Sequence, residues 1–359
     1  MSPPGSATSA PARFEADALE DFAVAVLSDA GADPAQARIF AHALLWSDRI
    51  GRPTHGVWRL PAYLKRFVEG LIKCPCEPRF DIGGPSIGAL DGDGGFGHVV
   101  GHLGMQKAIE LAADSGVGLI AARGSNHFGT GGYFVDLAAR RGMLGIATSN
   151  SIAKLAPFGG VAPVFGTNPL AIGAPRGNGE PIILDMATAA VSGASVIRAA
   201  ENGETLPEGI LVDRQGQPMT DPGRAGEGAM LPFGGAKGAG LVFFVELLSA
   251  VISGAALSSG VRSMFNDFSG NGGNGHCFIA IDLARLLPLE SYYARLEELV
   301  GQMKAASPGD GEVRLPGESR WRILAESTAR GVRLEAKMIA ELQRLAERHG
   351  VVLPVALSD

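Results

Sequence analysis

The sequence predicts a mixed α/β fold in which helices at both chain ends flank a centre of short strands and helices. Three observations carry that expectation. Apolar residues recur at helical spacing over the first 70 residues and again after about residue 289. Between them, from about residue 79, the texture changes to short apolar runs separated by Gly, Pro, Asp and Asn turns. Gly supplies 51 of the 359 residues, about twice the usual ~7%. No G-X-Y period accompanies it, which excludes collagen, and the glycines cluster in turns between apolar runs.

In chain order, MSPPGSATSAPARF reads as a short disordered lead-in. Phe14 to Leu27 is helical, Gly31 and Asp33-Pro34 interrupt it, and Ala35 to Trp46 resumes the pattern. After a Gly51–Gly56 break, Val57, Leu60, Tyr63, Leu64 and Phe67 form the stripe of a third helix. Gly118–Ala122, Leu144–Thr148, Leu170–Ala174 and Pro181–Leu184 read as strands, with helices at Val99–Ala113 and Tyr133–Arg141 between some of them. Gly240 to Leu257 is apolar except for Glu246. It is short for a membrane span and reads as a helix buried through a globular domain. Glu290–Ala305 and Glu335–Arg348 close the chain as helices, and Ser307–Glu318 is a linker or a functional loop. Length and texture divide the chain into an N-terminal helical part at 1–78, an α/β domain at 79–288, and C-terminal helices at 289–359 that pack on the N-terminal part.

Hydrophobic residues at 46% and charged residues at 19% leave ample material for a core. The net charge of −6, with no basic block, argues against nucleic acid and for a small-molecule partner. The first residues hold neither a basic n-region nor an apolar h-region, so a cytoplasmic protein without membrane attachment is expected. Three cysteines, Cys74, Cys76 and Cys277, give no disulfide framework, and one C-x-C pair does not make a metal site.

Several segments carry polar groups in patterns that suit chemistry. GDGGFG at Gly92–Gly97 is a literal G-x-G-x-x-G. The run before it is short, however, and the next strand ends in Arg123 where a dinucleotide site would place an acid. It reads as a turn. His98 and His102 share a helix face but lack the Glu of H-E-x-x-H, and read as partly exposed surface residues. Ser125–Gly132, SNHFGTGG, is the strongest local signal. Its backbone N–H groups and the following helix N-terminus suit an anion, and His127 suits phosphate binding or proton delivery. The plain alternative is a strand–helix turn with a capping Asn. In RIGRPTHGVWR, His55 and Arg59 are four apart. They suit a 2-oxo acid, with Arg gripping the carboxylate and His protonating the developing alkoxide; the plain alternative is a helix start with a basic first turn. Thr167-Asn168-Pro169, the strand-tip Asp185, and Lys237 in GGAKG each set polar groups beside small residues.

In order, the chain carries G-x-x-T-H-G-V-x-R-L (51–60), S-N-H-F-G (125–129), A-P-F-G-G (156–160), G-T-N-P-L (166–170), L-D-M-A-T (184–188), G-G-x-K-G (234–238) and L-P-G-E (315–318). Together these resemble the malate/L-lactate dehydrogenase-like family, which includes L-sulfolactate, ureidoglycolate and Δ1-piperideine-2-carboxylate oxidoreductases. The resemblance runs from about Asp17 to Val352. It implies NAD- or NADP-dependent hydride transfer, with a non-Rossmann cofactor and substrate domain on a largely antiparallel sheet and a helical domain from both chain ends. It also implies a homodimer whose sites draw on both subunits.

By position, the resemblance makes His55 the active-site histidine, with Thr54 where Ser is usual, and Arg59 the ligand of the substrate carboxylate. His127 matches a position treated as catalytic in some members, and Asp185, at its strand tip, is a further catalytic candidate that could orient a His. His127, Phe128, Gly129, Thr130 and Gly131 match a cofactor loop. Further cofactor contacts fall on Thr167, Asn168, Asp185, Met186, Ala187, Lys237, Pro316, Gly317 and Glu318. Ser151, in a polar turn after a strand, is a candidate substrate contact. Two departures stand close to the expected site: Arg52 replaces an acid, and Ala236 replaces a His. The expected activity is on a small 2-hydroxy or 2-oxo acid of the malate, lactate or sulfolactate type. The alternatives are reduction of a cyclic imino acid such as Δ1-piperideine-2-carboxylate, a phosphate-binding transferase, or a non-catalytic nucleotide-binding relative. A transferase is disfavoured because the chain lacks G-x-x-x-x-G-K-[ST] and an obvious Mg²⁺ carboxylate cluster.

Overall fold

The computed structural model describes residues 10–307, 309 and 311–358. The first elements are β1 (Ala12–Phe14), α1 (Ala16–Asp29), α2 (Pro34–Arg49) and α3 (Leu60–Val68). Then come β2 (Arg79–Gly84), β3 (Ile87–Asp91), α4 (Gly97–Ser115), β4 (Val117–Ser125), α5 (Gly131–Ala139), β5 (Met143–Ser149), β6 (Leu170–Ala174) and β7 (Ile182–Met186). They are followed by α6 (Gly193–Asn202), β8 (Leu211–Val212), β9 (Pro218–Met219), β10 (Ala229–Met230), α7 (Ala236–Glu246) and β11 (Asn274–Asp282). The chain ends with α8 (Leu289–Ala305), α9 (Glu318–Arg330), β12 (Val332–Leu334) and α10 (Ala336–His349). They form two compact units, one from both chain ends and one from residues 76–317.

In the terminal unit, Asp33 starts α2 by accepting the Gln36 N–H at 2.9 Å, and Pro34 occupies the first turn where its missing N–H costs nothing. The core is closed by Phe22, Phe40, Leu44, Tyr63 and Leu342, with Phe40 and Tyr63 edge to face at 5.0 Å. Ala12–Phe14 pairs antiparallel with Val332–Leu334, so the lead-in read over MSPPGSATSAPARF ends sooner than expected. Its first nine residues lie outside the described ones.

The central unit is built on a seven-stranded, mostly antiparallel sheet of order β2-β3-β4-β11-β5-β6-β7. Its one parallel pair is β3 and β4, joined by α4. Helices α4 and α5 pack on this sheet. Gly118 lets α4 approach closely, since a Cβ there would lie 1.9 Å from the Ala108 carbonyl oxygen. A second layer forms around β10-β8-β9 and α6, with Leu155, Val196, Leu211 and Met230 in its core.

Two expectations need correction. Helix α8 belongs to the central unit, not with the N-terminal helices. Arg176 forks onto Glu297 at 2.6 and 2.8 Å, and the Tyr292 hydroxyl donates to the Pro175 carbonyl at 3.1 Å. The apolar segment after Gly240 is not a buried through-helix. It ends as α7 at Glu246, continues as one π-helical turn over Leu247–Val251, and leaves Phe243, Phe244, Val251, Ile252 and Leu257 exposed. It buries the opposite side, Val242, Val245, Glu246, Ser249 and Ala250, at the surface of the unit. GDGGFG is the turn the sequence suggested, set between strand and helix within a β3-α4-β4 unit. Its N–H groups are turned inward: Gly92 and Gly94 donate to the carbonyls of Arg123 and Gly124, and Gly95 to that of Gly92.

Candidate active site

In the terminal unit the site residues follow the end of α2. Pro53–His55 and Val57–Arg59 are single 3-10 turns joined at Gly56, and the His55 N–H donates to the Arg52 carbonyl at 2.9 Å. Buried Asp48 holds the joint. Its Oδ2 accepts the Val57 N–H at 2.7 Å, and a Cβ on Gly56 would fall 2.0 Å from Oδ1. Only glycine lets the turn close there. Burial raises the Asp48 carboxyl to about 8, an effect the Val57 N–H opposes. Thr54 Oγ1 lies 3.1 Å from His55 Nδ1, and Arg59 Nε donates to the Thr54 carbonyl. Thus the hydroxyl orients the imidazole, and one turn ties the His and the Arg together. Burial, then the charges of Arg59 and Arg52, depress the His55 pKa to about 3. The imidazole is therefore neutral near pH 7 and able to accept a proton.

In the central unit, β4 leads through Ser125 and Asn126 into the loop of His127, Phe128, Gly129 and Thr130, and Gly131 opens α5. Asn126 fixes the loop: its Nδ2 donates to the Gly94 and Gly95 carbonyls at 3.0 and 2.9 Å, and its Oδ1 accepts the Gly272 N–H at 2.7 Å. His127 is half-buried, and the Gly129 N–H donates to its Nδ1 at 3.3 Å. Gly129 has φ +80°, and a Cβ there would strike His98 Nε2 at 2.4 Å. His98 is therefore buried beneath the loop, while His102 is half-buried and lies 2.8 Å from the Tyr133 hydroxyl. His98 departs from the partly exposed surface pair expected from HVVGH, whereas His102 keeps the partial exposure expected of it and meets the helix that packs on α4.

A second network gathers Ser151, Thr167, Asn168 and Thr188. The Asn168 side chain accepts the Ser151 N–H at 3.0 Å and donates to Glu246 at 2.6 Å. Ser151 Oγ and Thr167 Oγ1 are 3.4 Å apart. The Thr188 hydroxyl contacts the Thr167 and Asn168 carbonyls, each at 3.1 Å. Asn168 is fully buried, so its side chain shapes this turn. Asp185, Met186 and Ala187 are half-buried at the tip of β7. A Cβ on Gly131 would lie 3.5 Å from Asp185 Oδ1, which places the SNHFG loop beside this tip. Pro316 accepts the Ile183 N–H at 3.2 Å, and Gly317, φ +85°, packs on the same strand. Lys237 stands exposed in the first turn of α7.

Thus residues 127–131 and 185 are brought together, 316–317 lie against Ile183 of β7, and 151, 167 and 168 share one network. Thr54, His55 and Arg59 form their own group on the terminal unit, where Glu318 opens α9 and lies 3.6 Å from Arg322. Sequence reasoning missed Asp48, Glu246, Ser258 and His276. The Glu246 carboxyl takes the Ser258 N–H at 2.7 Å besides Asn168. The one polar signal that pointed to it was a single acid in an apolar run. The site residues fit a dinucleotide. α5 starts at Gly131, so the loop ends at a helix N-terminus suited to an anion, and Gly129 keeps the loop free of side-chain bulk.

The malate/L-lactate dehydrogenase family profile matches residues 14–343. The chain belongs to the malate/L-lactate dehydrogenase family. It is 34% identical to the malate/(S)-sulfolactate dehydrogenase of Methanothermus fervidus, over 92% of this chain and 96% of that one. It is 35% identical to the Δ1-pyrroline-2-carboxylate/Δ1-piperideine-2-carboxylate reductase of Pseudomonas syringae pv. tomato, over 88% and 91%. The sulfolactate dehydrogenase structure from Methanocaldococcus jannaschii superposes with a TM-score of 0.89 at 34% identity, covering 95% of this chain and 98% of that one. This member of the malate/L-lactate dehydrogenase family is an oxidoreductase.

Proposed function

We propose that the protein transfers a hydride between NAD or NADP and C2 of a small 2-hydroxy or 2-oxo acid of the malate, lactate or sulfolactate type. The observation that carries this reading is the neutral His55 imidazole, oriented by Thr54 and held within one turn of Arg59. A nicotinamide held there would supply or receive the hydride. Arg59 holds the substrate carboxylate through a charge-assisted bond, and His55 takes the proton from the hydroxyl during oxidation. In reduction His55 gives that proton back, and a bound carboxylate offsets the arginine charges that, after burial, disfavour its protonated form. The backbone of 127–131 and the start of α5 hold the cofactor's anionic groups, with Thr167, Asp185–Ala187, Lys237 and Pro316–Glu318 as further contacts. His127 and Asp185 act at the reacting end, and Ser151 bonds the substrate.

The inward-turned N–H groups of GDGGFG support a cofactor site outside the usual Rossmann glycine loop. A homodimer is supported by the exposed face of Phe243, Phe244, Val251 and Ile252, which a second copy would cover. The free thiols of Cys74, Cys76 and Cys277 support the cytoplasm as compartment. A cyclic imino acid is the second reading, supported by the similarity to the Pseudomonas reductase; His55 would then serve nitrogen in place of oxygen.

The test follows reduced-nicotinamide absorbance with NADH and NADPH against pyruvate, oxaloacetate, sulfopyruvate, 2,3-diketogulonate and Δ1-piperideine-2-carboxylate. Turnover is expected, falling about 10²–10⁴-fold in His55→Ala and showing a raised KM in Arg59→Ala. An unchanged KM in Arg59→Ala would overturn the anchoring role. Absence of turnover together with absence of nucleotide binding would overturn the whole reading.

A further inference from the structure

The two strands that flank β11 close on the same dipeptide, β4 ending at Ser125 before Asn126 and β5 at Ser149 before Asn150. His276 of β11 sits between them, fully buried, with Ser149 as its register partner. Its Nδ1 lies 2.9 Å from Ser149 Oγ and its Nε2 2.8 Å from Ser125 Oγ. The asparagines repeat the symmetry: Asn126 Oδ1 accepts the Gly272 N–H at 2.7 Å, and Asn150 Oδ1 accepts the Gly275 N–H at 2.9 Å. The imidazole also lies flat against Phe128, with ring centroids 4.8 Å apart and planes 4° from parallel.

Packing does not require a histidine here. Its aromatic neighbours are Phe128 and Phe278, and another phenyl ring would suit them. Burial holds the ring neutral, with its pKa near 3. A neutral imidazole has one N–H and one lone pair, so one serine must donate to it and the other must accept. The serine that accepts the ring N–H keeps its own hydrogen for the next carbonyl, Asn126 at 3.3 Å from Ser125 or Asn150 at 3.0 Å from Ser149, so both ring nitrogens and both hydroxyls have partners.

We propose that His276 is a positioning residue that fastens the loop of His127 and Phe128 to the Ser149–Ser151 turn, so that both keep one register. The inference rests on the reading that residues 127–131 hold the nicotinamide cofactor and Ser151 the acid. Ser125→Ala should raise the Kd for NADH or NADPH, measured by fluorescence, about tenfold and leave the KM of the acid nearly unchanged. Ser149→Ala should do the reverse, and His276→Phe should do both. Adding Ser125→Ala to His276→Phe should cause no further loss of nucleotide affinity. A purely structural histidine would lower Tm and active fraction while leaving Kd and KM of the folded protein in place.

Amide exchange supplies a readout independent of turnover: His276→Phe should speed exchange at 126–131 and 150–152. Unchanged Kd and exchange in folded His276→Phe would overturn the proposal, as would additive effects of Ser125→Ala. Should His276→Phe not fold, the opposite signatures of the two serine variants decide, and identical signatures overturn it. A wild-type protein that binds neither nucleotide would instead overturn the reading beneath.

Discussion

The Asp48 carboxyl accepts the Val57 N–H at 2.7 Å while its other oxygen packs against Gly56, so this acid at the end of α2 sets the path of the chain just after His55. Its carboxyl is raised to about 8 and is protonated at neutral pH. Asp48→Asn keeps an acceptor for Val57 and should retain most of the activity. Asp48→Leu leaves that N–H without its acceptor and should cost about 1–3 kcal/mol in denaturant unfolding, with a lower kcat. The sign of the pH effect follows from the raised pKa. The folded state binds a proton that the unfolded state releases above about 4, so the Asp48 share of stability falls as pH rises from about 4 to about 8. Asp48→Asn should flatten that slope; an unchanged slope would refute the assignment.

Arg52 lies one turn before His55 and its charge depresses the imidazole pKa after burial and Arg59. Arg52→Ala should therefore raise the His55 pKa, seen as a move to higher pH in a ring-nitrogen NMR titration. The acidic limb of kcat/KM should move with it. A downward move would contradict the electrostatic account.

Glu246 joins Asn168, Ser258 and, through Asn168, the Ser151 N–H. Glu246→Leu strips the acceptor from three buried donors, the Asn168 amide and the Ser258 N–H and hydroxyl, and should destabilise the fold by about 1–3 kcal/mol per group left unpaired. It should also raise the KM of the acid through Ser151. Glu246→Gln keeps an acceptor and should be milder in both assays.

His276, buried and neutral with a pKa near 3, makes the fold acid-sensitive. Below its ordinary value near 6.5 the unfolded chain takes up a proton that the folded chain refuses. Its share of stability is thus complete above 6.5 and lost as pH falls, at about 1.4 kcal/mol per pH unit. In His276→Phe, unfolding free energies between pH 6.5 and 4 should fall less steeply than in the wild type.

The helices and strands with clear periodicity were legible in the sequence, and Leu170–Ala174 has the bounds its apolar run suggests. β11 was not, because a central strand buried on both faces gives an apolar run without alternation, here starting in a Gly/Asn-rich stretch. That hid His276. Asp48 and Glu246 were hard to place for a related reason: an acid on a helix reads as solvated until tertiary contacts turn it inward. The amphipathic pattern of Leu289–Ala305 identified a helix but not its partners, which are Arg176 and Pro175 far earlier in the chain. The groups His55–Arg59 and 127–131 stand out in the sequence because turn residues and reactive side chains lie next to each other there.

The place of β11 in the middle of the sheet also sets a limit on biogenesis. A nascent chain that has emerged only to residue 273 has β2-β3-β4 and β5-β6-β7, but not the strand that separates them. Both half-sheets then present open edges beside β4 and β5, the kind of surface that recruits other strands. Ribosomal release or proteolysis before Asp282 should therefore yield aggregating fragments and not a smaller folded protein.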